Sequence, residues 1–138
     1  MRSRAPLALM EQTVMVLVFA LAAALCLRAF ALADGISRQV ESTDLAVLWA
    51  ESAADTLKAR EGDLSRAAAE LGGEVDGQRW TIPLDENWQE TAGEPAYTLT
   101  ARPVQTGRPL LGKAQIDVVQ KNGERLFSLE VCWQEAKT

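Results

Sequence analysis

At 138 residues with 48% hydrophobic content, the chain is long enough for one apolar segment and one further domain with a single modest core. It contains no histidine, which excludes His-based triads, His general bases and His metal ligands. With Arg2, Arg4, Arg28 and Glu11 set aside, the residues from Asp34 onward carry 11 basic and 18 acidic side chains, a net charge of −7. Such a surface argues against direct nucleic-acid binding, which needs a basic face.

The first element is the run from Glu11 to Ala33, EQTVMVLVFALAAALCLRAFALA, which has no charged residue between Thr13 and Leu27. As a helix it measures about 33 Å, enough to cross a hydrocarbon core of about 30 Å. It is apolar on all sides, so a domain of this size has nowhere to bury it, and lipid is the simplest surrounding. Thr13, Val14, Val16, Leu17, Phe19, Leu21, Leu25 and Leu27 are its expected lipid contacts. Arg28 is placed to snorkel to the interface with its stem in lipid. Glu11 has two readings: an intramembrane acid is a functional candidate, whereas a first-turn carboxylate in the headgroup layer is favoured by the helix dipole. Arg2 and Arg4 precede the span, so the amino terminus is expected in the cytoplasm and the acidic domain outside. Cys26, within the apolar helix, and Cys132, in the last strand, are not placed to pair and are read as free thiols.

The segment Ala5-Pro6-Leu7-Ala8-Leu9-Met10-Glu11 followed by TVMVLVFALAAALCLRAF resembles the amino terminus of type IV pilins and pseudopilins. It also resembles short pilin-like proteins of clostridia-type Gram-positive bacteria. In that family a short basic leader ends in a small residue, usually Gly, and four apolar residues then Glu open a long apolar helix. If Glu11 is the fifth mature residue, cleavage falls before Leu7 and Pro6 takes the place of the Gly. A cut after Ala5 supplies a small residue and makes Glu11 the sixth. The resemblance implies a leader over residues 1–6, a membrane helix over 7–33 and an extracellular α+β head over 34–138. It also implies a prepilin peptidase, other pilin-like subunits and an inner assembly platform as partners, with Glu11 meeting the terminal amine of a neighbouring subunit. A rival reading takes Arg2 and Arg4 as an n-region, Thr13 to Leu27 as an h-region and Ala31-Leu32-Ala33 as a signal-peptidase site, releasing a binding domain that starts at Asp34. A third keeps the helix as an uncleaved single-pass anchor with an extracellular adaptor head.

Asp34-Gly35 is the first weak point of the helix, because Gly costs about 1 kcal/mol relative to Ala in a helix interior. A bend is expected there, followed by a helix over 36–60. Val40, Thr43, Val47, Ala50, Ala54 and Leu57 recur at helical spacing, forming the face that should cover a sheet. Glu41, Asp44, Glu51, Asp55 and Lys58 line the solvated side. Glu61-Gly62 ends this helix, and Asp63 is placed to cap a short one over 64–71 that stops at Gly72-Gly73. Alternating patterns then predict four strands, over 79–84, 96–102, 114–120 and 125–134. The last two are joined by Lys121-Asn122-Gly123-Glu124, where Asn-Gly predicts a type I′ turn. The expected architecture is α+β: a long helix, first transmembrane and then amphipathic, packed on a four-stranded antiparallel sheet.

No Gly-rich phosphate loop and no CxxC motif occurs. The connection Asp85 to Glu94 gathers Asp85, Glu86, Glu90 and Glu94, the chemistry of a calcium loop, but its spacing matches no EF-hand and an acidic surface loop is the expectation. The chain is therefore read as non-enzymatic and without a cofactor. Of the four tryptophans, Trp80 and Trp133 fall on the apolar strand faces and are assigned to the core. Trp49, beside the helix stripe, and Trp88, in the acidic turn, are the aromatic candidates for a subunit interface. The loop from Pro103 to Gly112, with Leu110 and Leu111, is expected to fold over the edge of the core.

Overall fold

The computed structural model describes residues 4–135; Arg2, part of the expected basic leader, lies outside the described residues. The chain divides into two compact units, one ending at Val40 and one beginning at Glu41. It belongs to the α+β class, with one long apolar N-terminal helix and a five-stranded antiparallel sheet. Helix α1 spans Ala5–Ala59. Pro6 sits in its first turn, where the missing N–H would be unpaired in any case and the ring presets φ.

The helix is not interrupted at Asp34-Gly35, and the segment expected as a helix over 36–60 is the continuation of α1. One Gly costs too little to break a ladder whose hydrogen bonds are intact on both sides. An exposed ion pair, Asp34 to Arg38 at 3.3 Å, bridges the same turn. Termination comes from a different device: Glu61 and Gly62 take positive φ of 54° and 83°, and the Gly62 N–H donates to the Leu57 carbonyl at 2.9 Å.

From Glu41 onward the helix buries Ala46, Ala50, Ala53, Ala54 and Leu57. Val40, placed on the stripe by its spacing, is exposed, and Thr43 and Val47 are half-buried. The buried alanines share one core with the sheet, which supplies the bulk. Trp80, Ile82 and Leu84, then Leu99 and Ala101, then Ala114, Ile116 and Val118, then Val131 and Trp133 complete the core. Glu41, Asp44, Glu51, Asp55 and Lys58 are exposed, as their positions predict.

Helix α2 (Leu64–Leu71) is capped by Asp63, whose carboxylate accepts from the Arg66 N–H at 3.2 Å. The sheet follows in the order β1-β2-β3-β4-β5 as a simple meander. Strand β1 (Glu74–Asp76) was not expected; it pairs with β2 (Arg79–Leu84) across a tight turn at Gly77, whose φ is 62°. With Val75 as its only apolar residue, it carries too little alternation to register as a strand. Strand β3 is Tyr97–Pro103, β4 is Leu111–Gln120 and β5 is Arg125–Gln134. Strand β4 therefore begins three residues earlier than the alternation suggested, because Leu111 to Lys113 pair with Gln134 to Cys132. The hairpin at Asn122-Gly123 is also corrected. Only Gly123 takes positive φ, and the Gly123 N–H donates to the Gln120 carbonyl while the Gln120 N–H donates to Glu124, each at 2.8 Å. That is the three-residue loop with a left-handed glycine, rather than type I′, which requires positive φ at both central residues.

Trp80 and Trp133 lie in the core as expected. The Trp80 indole donates to the Gly72 carbonyl at 2.8 Å. The Trp133 indole lies against Gly62 and Gly112, and its Nε1 is buried without a partner among the described residues. A Cβ on residue 112 would collide with that indole. Gly112→Ala is expected to lower stability by about 1–3 kcal/mol through overpacking. Gly93→Ala, where the new methyl meets only Thr91 Oγ1 at 3.5 Å, should stay within about 0.5 kcal/mol. Urea unfolding of the detergent-solubilised chain, followed by Trp fluorescence, compares the two.

Candidate functional site: the exposed apolar helix and the acidic connection

From Ala5 to Val40 every side chain of α1 is exposed, so no other described residue covers the apolar run. Its most apolar stretch is long and apolar enough to cross a membrane, and none of it is buried. Thr13, Val14, Val16, Leu17, Phe19, Leu21, Leu25, Leu27 and Arg28 all lie on this exposed helix, as does Cys26. The Thr13 hydroxyl donates to the Leu9 carbonyl at 2.8 Å, which satisfies its proton within the helix and removes the main cost of placing it in an apolar medium. Glu11 lies in the second turn with no side-chain partner among the described residues, and Ala5, Pro6 and Leu7 form the first turn.

The acidic connection between β2 and β3 is held through Asp85, Glu90 and Glu94. Asp85 Oδ1 accepts from the N–H groups of Asn87 and Gln89 at 2.8 and 3.0 Å. Glu90 Oε1 accepts from the Gly73 N–H at 2.8 Å, and Glu94 pairs with Lys121 at 2.8 Å. Three of the four carboxylates thus have separate partners. Among the described residues no group of three or more metal-ligating side chains comes together. The Lys121 ammonium, by its hydrogen bond and then by its charge, holds the Glu94 carboxyl below its ordinary value.

Trp88 is buried rather than displayed, which corrects its placement as an exposed interface residue. Its ring stacks on Tyr97 with centroids 3.9 Å apart and planes 16° from parallel. The surrounding sequence is polar, so only the tertiary partner reveals the burial. Trp49 is half-buried and packs against the core. Leu110 is exposed with a φ of 66°, while Leu111 enters β4, so the loop over 103–112 only in part closes the core edge.

A polar constellation that the sequence reading did not isolate occupies the sheet face opposite the core. Asp117 accepts from the Ser128 hydroxyl at 2.7 Å and from Gln115 Nε2 at 3.3 Å, and Arg125 stands 3.7 Å away. Beside it Lys113 pairs with Glu130 at 2.8 Å, and that hydrogen bond, opposed by desolvation, raises the lysine above its ordinary value. The alternation of Lys113, Gln115 and Asp117 along β4 was the available signal. The bonds that Asp117 and Gln115 make to Ser128 across the strands help to pin the register of β4 on β5.

Compared with protein-family models, curated proteins and solved structures, the chain matches none.

Two outcomes follow from this geometry. Leu21→Arg places a charge in the middle of the apolar run, at an insertion cost of about 2.5–3.5 kcal/mol. The variant should shift from the carbonate-resistant membrane fraction to the soluble or aggregated fraction, whereas Leu21→Val should not. For Glu94, the lowered value means that its pair with Lys121 contributes above the ordinary carboxylate range and is lost as pH falls through the folded-state midpoint. Carboxyl NMR titration of the solubilised chain should give a midpoint below the ordinary glutamate value, and Lys121→Ala should restore it.

Proposed function

We propose that the chain is a non-enzymatic, membrane-anchored, pilin-like subunit, a minor pilin or pseudopilin of a type IV filament or of a secretion or DNA-uptake pseudopilus. The observation that carries this reading is a single α-helix, Ala5–Ala59, whose first part is apolar and wholly uncovered while its second part packs alanines against an antiparallel sheet. A plain anchor has no need for a carboxylate at the start of its apolar run. Glu11 costs a few kcal/mol if it enters lipid alone, and a partner charge that accompanies it into the bilayer or filament offsets that cost. The terminal amine of a neighbouring subunit is the partner that the resemblance suggests. A buried pair of that kind selects register between subunits more than it adds net stability.

On this reading the helix lies in the cell membrane as a single pass, with the amino terminus cytoplasmic and the domain from Glu41 outside, until the subunit is drawn from an inner assembly platform into a filament. Processing by a prepilin peptidase falls among Ala5, Pro6 and Leu7. The helical ladder continues through Ala31, Leu32 and Ala33 without a break. That favours an anchor over a signal sequence, whose cleavage site must be presented to a peptidase in extended form.

Glu11→Ala tests the assignment directly. The variant should insert into the membrane as the parent does, yet its recovery in sheared surface filaments, or its cross-linking to neighbouring pilin-like subunits, should fall to background. Glu11→Asp should retain part of the signal. Unchanged incorporation of Glu11→Ala would contradict the assembly role.

A further inference from the structure

An open depression with a polar and aromatic lining lies at one end of the sheet. It encloses about 670 Å³ and is lined by Glu86, Ala96, Tyr97, Gln120, Lys121 and Asn122. That volume lies within the usual range of small-ligand sites, roughly 300–1,000 Å³. Its walls are fixed by backbone hydrogen bonds: Ala96 N–H to the Leu84 carbonyl at 2.9 Å, Lys121 N–H to the Ala96 carbonyl at 2.9 Å, and the tight turn from Gln120 to Glu124.

The aromatic wall is built at a conformational cost. Trp88 adopts a φ of 60°, a left-handed conformation that bulky side chains rarely take. Asp85 holds it there: the Trp88 N–H donates to the Asp85 carbonyl at 3.0 Å, and the Asp85 carboxylate gathers the N–H groups of Asn87 and Gln89. The result is a Trp88 ring stacked flat behind Tyr97, which fixes the Tyr97 ring as a rigid platform. Strain of this kind persists where the surrounding structure over-determines it, and it clusters at binding sites.

The chemistry of the rim narrows the ligand. Lys121 is the only cation in the lining, and Glu94 neutralises it at 2.8 Å, so the site offers no net attraction to an anion. Three metal-ligating groups do not converge there, as nowhere among the described residues. Glu86 and Gln120 have no side-chain partner among the described residues, and Asn122 uses its oxygen on the Glu124 N–H at 2.8 Å, leaving its NH₂ group to donate. A carboxylate acceptor, an amide that both donates and accepts, and a second amide donor therefore share one lining with the Tyr97 aromatic ring. A molecule with a flat C–H face and a rim of hydroxyls complements all four groups at once.

We infer that this depression binds a neutral saccharide, with the sugar's apolar face on Tyr97 and its hydroxyls on Glu86, Gln120 and Asn122. The inference is independent of the assembly role of Glu11, because it concerns side chains from Glu86 to Asn122 alone. A surface subunit with such a site would attach to polysaccharide.

The test uses the full chain solubilised in a detergent without a sugar headgroup. Chitotriose, cellotriose and maltotriose are titrated separately while the backbone and side-chain amide signals are followed by NMR. Saturable shifts with at least one trisaccharide, centred on Tyr97, Gln120 and the Asn122 amide, are expected. Gln120→Ala, at a half-buried position, and Asn122→Ala, at an exposed one, both lie outside the core and should each weaken that binding roughly 2- to 10-fold, the worth of one hydrogen bond. Tyr97→Phe should bind as the parent does, since the stacking face is kept. Absence of shifts with all three sugars, equal binding by the two alanine variants, or the same response to inorganic phosphate would overturn the inference.

Discussion

A run of apolar residues that no other described residue covers must satisfy its own backbone. In water or in lipid, only a helix pairs each N–H and C=O within a single segment, and in hydrocarbon an unpaired group costs several kcal/mol. This one constraint organises α1. It explains why the helix starts at the first residue after Arg4, why Pro6 appears only where its missing N–H is harmless, and why the Thr13 hydroxyl turns back onto the Leu9 carbonyl. It also explains the choice of side chains from Glu41 onward. The helix, once continued, can form a core only by offering a narrow face, and Ala46, Ala50, Ala53 and Ala54 offer the narrowest that still excludes water.

The sheet answers that narrow face with bulk. Trp80, Ile82, Leu99, Ile116 and Val118 are fully buried on the side facing the alanines. The opposite side carries Thr81, Thr100, Asp117 and Ser128 in one cross-strand row. Register between β4 and β5 follows from that division, since a slip of one residue would turn Asp117 into the core and Ile116 out of it. The bulge at Val118/Val119 is the one irregularity, and it falls beside the tight turn that forms a wall of the Tyr97 depression. Core packing and the candidate saccharide site thus share the same end of the hairpin.

Much of this was legible in the sequence, and what was not has identifiable causes. Asp63 before Leu64, the Gly pair after Leu71 and the alternation of Arg79 to Leu84 are local signals whose physics needs no tertiary partner, and each element appears where it was expected. Strand β1 depends on pairing with β2, which its three residues do not advertise. Gly35 reads as a weak point by intrinsic propensity alone, and the ladder on either side carries the helix through it. Trp88 looked exposed because its neighbours are acidic, and its burial is created by Tyr97, nine residues away. Glu11 was legible as an oddity and remains one in the fold: an acid at the head of an uncovered apolar helix with no partner among the described residues.

On the proposed reading the apolar helix remains part of the working protein and carries it into an assembly. The most direct measurement is the amino-terminal residue and intact mass of the protein recovered from its native cell, with membrane, filament and medium fractions separated. A pilin-like subunit predicts a membrane or filament species that begins at Pro6 or Leu7, with the helix intact. A species beginning at Asp34 in the medium would contradict it, and would make the apolar helix a signal discarded before the domain begins to function.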